Sequence, residues 1–232
     1  RVVLFAGLQI GHTERWRSSP INTAPLRSAS RRRRVRGFNT APAQIRSMNV
    51  VTLLPSATEI VYALGIEPVG VSHECDVPPA AAAKPSINRS RIDADASSAE
   101  IDAQVLDAER AGGVYEIDIE ALDRVDPDLI VTQGICDVCA VDSVLVEDAI
   151  DRIDADPEIV TTDPHSVGDV LDDIERIGRA TGREDRSADV VADLEARIDA
   201  VRERSAGIPD AERPDVAILD WLDPVMVAGH WM

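Results

Sequence analysis

NVVTLLPSATEIVYALG, residues 49–65, changes its period halfway along. NVVTLL (49–54) is a short unbroken apolar run, as a strand buried on both faces requires. Pro55-Ser56 breaks it. Ser56 with Glu59 three residues on has the pattern of a capping box, so a helix is expected to start there and to stop at Gly65. A doubly buried strand running straight into a helix is the repeating unit of a parallel α/β sheet.

The same alternation continues outward. PVGVS (68–72) and DLIVTQ (128–133) read as further strands, the second strongly buried, and EIVTTD (158–163) as another. Residues 77–97, with Pro78-Pro79 and an alanine run, are expected to be loop. SSAEIDAQVLDAERAG (97–112) is a helix capped by Ser97 or Ser98, DIEALDRVDP (118–127) a helix stopped by Pro127, and a further helix is expected over about 140–153. Ser166 and Asp169 cap a helix with Val167, Val170, Leu171, Ile174 and Ile177 on one face. After Thr181-Gly182 a longer helix, about 184–206, places Ala188, Val191, Leu194, Ile198 and Val201 on one face. DVAILDW (215–221) reads as one more buried strand.

Strand and helix in alternation give an α/β class with a parallel, Rossmann-like sheet. Right-handed crossovers put every strand's carboxyl end on one rim, where open parallel sheets bind ligands. Pro55-Ser56 follow the first strand there; His73, Glu74, Cys75 and Asp76 follow the second; Gly134 to Cys139, with Cys136, Asp137 and Cys139, follow the third. If the last strand belongs to a facing lobe, its end carries Trp221, Asp223, His230 and Trp231. Polar and soft side chains gather where chain geometry expects a binding site.

VTLLPSATEIVYALG, VGVSHECD, PDLIVTQGICDVCAV and LDWLDPVMVAGHW together resemble the iron-siderophore/cobalamin type of ABC-transporter substrate-binding protein, in particular its cobalamin-binding subgroup. The resemblance covers nearly all of 49–232. It implies two α/β lobes joined by one long backbone helix, for which 184–206 is suited, with the ligand held in a cleft that moves little. The ligand would be cobalamin or a related metal chelate, the partner an ABC permease, the protein a monomer at the outer face of the cell membrane, and the activity capture rather than catalysis. The expected organisation is a disordered basic extension over 1–47, a first ligand-binding lobe over 48–165, a helix pair over 166–207 that includes the backbone helix, and an incomplete, C-terminally truncated second lobe over 208–232.

The cysteines admit three readings. Cys136 and Cys139 after a strand and before a helix have the spacing of a redox pair. His73, Cys75, Cys136 and Cys139 also form a soft ligand set, suited to Zn²⁺ or to the axial position of a corrin cobalt. Alternatively the thiols are loop packing. A cytosolic metal-binding or thiol-redox protein using Cys75, Cys136 and Cys139 is therefore the rival function. His230 is an axial ligand or an ordinary chain-end residue. Trp221 and Trp231 either stack on a ring or seal the seam between lobes. Tyr62 belongs to the core and His165 faces solvent. Glu59, besides capping, is a candidate docking carboxylate for permease arginines, since the resembled family uses exposed carboxylates in that way. Arg89 and Arg91 meet either an anionic group of the ligand or neighbouring acids.

Charge excludes other classes. The net charge is −18, but residues 1–47 hold ten Arg against one acid, Glu14, so 48–232 carry about −27. Such a field repels nucleic acid and anionic membrane. Abundant Asp, Lys84 as the single lysine, and no Phe beyond Met48 fit a protein kept hydrated in molar salt. Neither G-x-G-x-x-G nor a P-loop occurs, no activated serine or acid/base couple is legible, and no secretory leader or membrane-spanning run is recognisable. No obligatory cofactor is expected.

Overall fold

The computed structural model describes residues 3–6, 48–110, 113–134, 141 and 143–227. In chain order these form β1 (Val3–Ala6), β2 (Val50–Thr52), α1 (Pro55–Ala63), β3 (Gly70–Val71), β4 (Asn88–Ser90), α2 (Ser98–Arg110), β5 (Tyr115–Ile117) and α3 (Ile119–Val125). They continue with β6 (Leu129–Gln133), α4 (Ser143–Ile150), β7 (Glu158–Thr162), α5 (Val167–Ala180), α6 (Glu184–Ala206), β8 (Val216–Leu222) and β9 (Val225–Val227).

The central sheet has the order β3-β2-β6-β7, and every pairing in it is parallel. Successive side chains of a strand point to opposite faces, and here both faces are covered. On one face Val50, Leu129, Val131 and Val160 pack with Ala57 and Val61 of α1, Leu64 at its C-cap, and Ile174 and Ile177 of α5. On the other, Val51 and Ile130 pack with Ile87, Ile117, Leu122 of α3, and Val146 and Ala149 of α4. The apolar runs are unbroken because odd and even residues both meet helices.

From β2 the chain crosses by α1 to β3 on one side. It then returns past β2 to β6 and steps on to β7. Winding therefore reverses between β2 and β6, with α1 on one face and α3 and α4 on the other.

Several local expectations are corrected. Leu54, not Ser56, holds the N-cap position of α1, and no side chain caps it. Pro55 is the reason: its fixed φ and missing N–H suit the first helical position, so the helix begins two residues earlier than a Ser56 cap would place it and Ser56 falls inside it. Ser97 does engage Glu100, its N–H and Oγ donating to Oε2 at 2.9 and 2.6 Å. Ser166 accepts from the Asp169 N–H at 3.2 Å, as its spacing predicts. The segment 77–97 is not all loop, since β4 pairs antiparallel with β5. Val3–Ala6, inside the stretch expected to lack structure, pairs in parallel with β8. In β8, Val216, Ile218 and Leu222 are exposed rather than buried, because no described core cluster reaches this sheet. On α6 the packed residues are Val190, Val191 and Leu194, whereas Val201 is 61% exposed. Only the first part of that helix meets the core.

One buried carboxylate makes stability pH-dependent. Asp173 on α5 is 4% exposed, with the Arg176 guanidinium 3.6 Å away. Burial raises its pKa; Arg176 opposes the rise, while Asp169, Asp163 and Asp172 add to it. A folded-state pKa above the unfolded one means that the folded state holds the proton more tightly. The associated stability is complete below the unfolded pKa and is lost as pH rises through the folded one. Asp173→Asn is thus expected to have a higher urea midpoint than the wild type at pH 7, with the gap closing in acid. Equal midpoint differences at pH 7 and pH 4 would contradict this.

Candidate functional site

The carboxyl ends of β3, β2, β6 and β7 share one rim, and at the β2/β6 reversal the connections leave on opposite faces, the place where open parallel sheets bind ligands. Leu53 N–H donates to Val131 O at 2.9 Å, holding the two strand ends together. The chain then turns at half-buried Pro55 and exposed Ser56 into α1. At the end of β6, Gly134 N–H donates to Thr162 O at 2.9 Å. A Cβ at Gly134 would stand 3.2 Å from Thr161 Cγ2, so the bare backbone suits this approach. The Thr132 hydroxyl donates to Val141 O, tying β6 to the lead-in of α4. Cys136, Asp137 and Cys139, like His230 and Trp231, lie outside the described residues.

After β3 the HEC segment splits. A turn closed by Cys75 N–H to Ser72 O, at 3.0 Å, leaves His73, Glu74 and Asp76 exposed and turns Cys75 inward. Cys75 is 4% exposed and packs with Val71, Ala81 and Tyr62. Its Sγ is 3.0 Å from Thr58 Oγ1, which also touches Thr52 Oγ1 at 2.6 Å and donates to Leu54 O at 3.1 Å. In the contacts of Thr58 with Cys75 and with Thr52 either partner can be the donor. Burial raises the Cys75 pKa and outweighs the hydrogen bonds from Thr58 and Ser72, which lower it. The net upward shift disfavours the thiolate that redox chemistry and metal ligation need. Among the described residues no three His, Cys, Asp or Glu side chains converge as a metal site.

His73 faces different neighbours. Its backbone N–H and its Nδ1 both meet Asn88 Oδ1, at 3.0 and 3.2 Å. Its ring centroid lies 5.6 Å from that of Tyr115, tilted by 59°. Asn88, 3% exposed on β4, is the residue that sequence reasoning missed. One signal was available: an asparagine directly after Ile87, in a segment able to pair, is unusual for a strand and suggests a specific polar task.

The remaining candidates are scattered. Arg89 pairs with Glu116 across β4–β5, through Nε at 3.1 Å and Nη2 at 2.8 Å, so its charge is met by an acid. Arg91 Nη1 donates to Gly113 O at 3.2 Å. The Trp221 indole N–H is shared between Ser98 O at 3.2 Å and Asp223 O at 3.0 Å, and the ring is half buried. Glu59 is exposed on α1. Tyr62 packs on the Cys75 cluster as expected, its hydroxyl buried without a partner. His165 is exposed, 3.3 Å from Asp163. An open concavity of about 650 Å³ lies instead at the sheet edge, between Glu158–Thr161 of β7 and Arg176, Arg179 and Ala180 of α5. Arg176 is already engaged there with Thr161 O and Asp173, so we favour the rim.

A parallel sheet whose ligand-competent turns collect at one rim is the architecture of a binding lobe, and the comparisons agree. The chain belongs to the Periplasmic binding protein family, which matches residues 50–231. The family consists of substrate-binding transport proteins, not enzymes. No curated protein matches the sequence. Among solved structures the chain is similar to the periplasmic heme-binding protein BhuT in complex with two hemes, at 18% identity and TM-score 0.54, over 74% of this chain and 55% of that one. It is similar to apo RhuT, a periplasmic heme-binding protein from Roseiflexus sp. RS-1, at 22% identity and TM-score 0.53, over 75% and 55%. It is also similar to Staphylococcus aureus SirA complexed with staphyloferrin B, at 18% identity and TM-score 0.50, over 76% and 51%. The chain thus spans about half the length of these structures.

Proposed function

We propose that this chain is the substrate-binding component of an ABC importer and captures cobalamin or a related metal chelate. The observation that carries this is the β2/β6 reversal, with the turns at Pro55-Ser56 and His73-Glu74 on its rim, in a chain of the Periplasmic binding protein family. Heme and staphyloferrin B, named for the similar structures, are both metal-binding ligands of this general class. The HEC, CDVC and GHW segments resemble the cobalamin-binding subgroup and favour a corrin. Capture needs a formed cleft and a few polar anchors rather than reacting groups. Trp221, His230 and Trp231 are the proposed contributors from the other side of the cleft.

The proposed partner is an ABC permease, with Glu59 offering its exposed carboxylate to permease arginines. The site of action would be the outer face of the cell membrane; no helix among the described residues is long and apolar enough to cross it. The rival metal- or thiol-handling reading is weakened because Cys75 is buried and bonded to Thr58.

The test is a titration of tryptophan fluorescence with cyanocobalamin in molar salt, using the whole chain. Saturable quenching is expected. A flat response to cyanocobalamin, aquocobalamin and hemin, with stoichiometric Zn²⁺ uptake, would instead establish the rival.

A further inference from the structure

The tautomer of His73 follows from its partners. A backbone N–H can only donate, so the Asn88 atom it meets at 3.0 Å is the amide oxygen, not the amide nitrogen. That same oxygen lies 3.2 Å from Nδ1, so Nδ1 carries the ring proton and donates. In the neutral imidazole the lone pair then belongs to Nε2. Asn88 is itself held in place: β4 pairs it with Ile117, and Ser86 Oγ donates to its carbonyl at 2.8 Å. Tyr115 bounds the ring on another side. The imidazole is therefore fixed in orientation and tautomer, yet its side chain stays 26% exposed on the rim. Glu74 Oε1 is 3.9 Å from Nε2, outside hydrogen-bonding range, and places negative charge beside it. An imidazole whose far nitrogen donates to a fixed carbonyl is oriented as a metal ligand.

We propose that His73 Nε2 is an axial ligand to the metal of the captured chelate, with Asn88 as its positioning residue. This rests on the capture function above and narrows the ligand class to a flat tetrapyrrole, corrin or porphyrin, whose metal has an exchangeable axial position. On binding, a metal–oxygen bond to water breaks, a metal–nitrogen bond to His73 forms, and the water leaves; no electron is transferred. A ferric chelate with every position filled by its own oxygens gains nothing from this residue. The neighbouring Glu74 carboxylate complements the positive charge of a trivalent metal centre.

The test uses the whole chain with aquocobalamin and hemin as probes, read by visible absorption, and cyanocobalamin as the control whose upper ligand imidazole does not displace. Wild type is expected to shift the bands of at least one probe to those of its imidazole adduct. His73→Ala should abolish the shift and weaken that probe about tenfold to hundredfold, with a smaller loss for cyanocobalamin. Free imidazole should restore the shift to His73→Gly. Asn88→Asp, which keeps the acceptor oxygen, should retain it. If wild type binds cyanocobalamin saturably but leaves both probe spectra as in water, or if His73→Ala keeps the wild-type spectrum, the ligand role is overturned while capture stands. If no tetrapyrrole binds, capture of this class fails with it.

Discussion

Ile130→Ala is expected to destabilise the protein by about 3–4 kcal/mol, near the middle of the range for emptying a closed apolar site. Ile130 is fully buried on β6, an inner strand of the sheet, opposite Val51 on one side and Ile159 on the other. Its side chain belongs to the cluster that joins the sheet to α3 and α4 through Leu122 and Val146. Strands paired on both sides and faced by helices relax little, so the lost methyl groups leave a void rather than a collapse. With a typical domain stable by only about 5–15 kcal/mol, the variant should unfold at a much lower urea concentration. Urea melts in molar salt, followed by far-UV circular dichroism, measure the change. Ile130→Val should lose about 1 kcal/mol in the same assay. Val201→Ala, at the exposed end of α6, should stay within about 0.5 kcal/mol. A loss for Ile130→Ala no greater than that for Val201→Ala would mean that this core is not formed.

The second large effect lies where α5 meets α6. A Cβ at Gly178 would collide with Ser187 Oγ and stand 2.5 Å from Ser187 Cβ. The obstructing Cβ is rigidly attached, so rotating the serine cannot clear it. Overpacking of this kind costs about 1–3 kcal/mol, and alanine's better helix propensity returns only about 1 kcal/mol. We therefore expect Gly178→Ala to be less stable than wild type, by up to about 2 kcal/mol. The backbone is held here too: Arg183 N–H donates to Gly178 O at 2.7 Å and Ser187 N–H to Arg183 O at 2.8 Å, so the helices cannot simply move apart. Ser187→Gly in the Gly178→Ala background should recover much of the loss, because it removes the obstructing atoms. A coupling of about 1 kcal/mol in that double-mutant cycle would locate the contact; additive effects would place the cost elsewhere. The joint also has reach. It sets the direction of α6, a helix of 23 residues and roughly 34 Å in all.

How much of this was legible depended on the range of the interaction involved. The strands at 50–52 and 129–133 and the helix at 184–206 follow from local composition and period, since a doubly covered strand must be apolar at odd and even positions alike. From those elements the α/β class and the common rim follow by chain geometry. The Ser56–Glu59 pattern misled because two local signals competed and Pro55, the stiffer one, won. Ser166 carried no such competitor and caps as its spacing predicts.

Sequence alone, then, determined the alternation of elements, the strongly acidic body and the segments that resemble the binding-protein family, because each is written in residues close together in the chain. Tertiary structure alone decided that Cys75 turns in toward Thr58 while His73, two residues before it, turns out toward Asn88. It also decided that β4 finds β5 across a long intervening segment, and that β8 stays exposed. Those outcomes depend on which distant side chain arrives opposite, and periodicity carries no record of a partner 15 or 27 positions away.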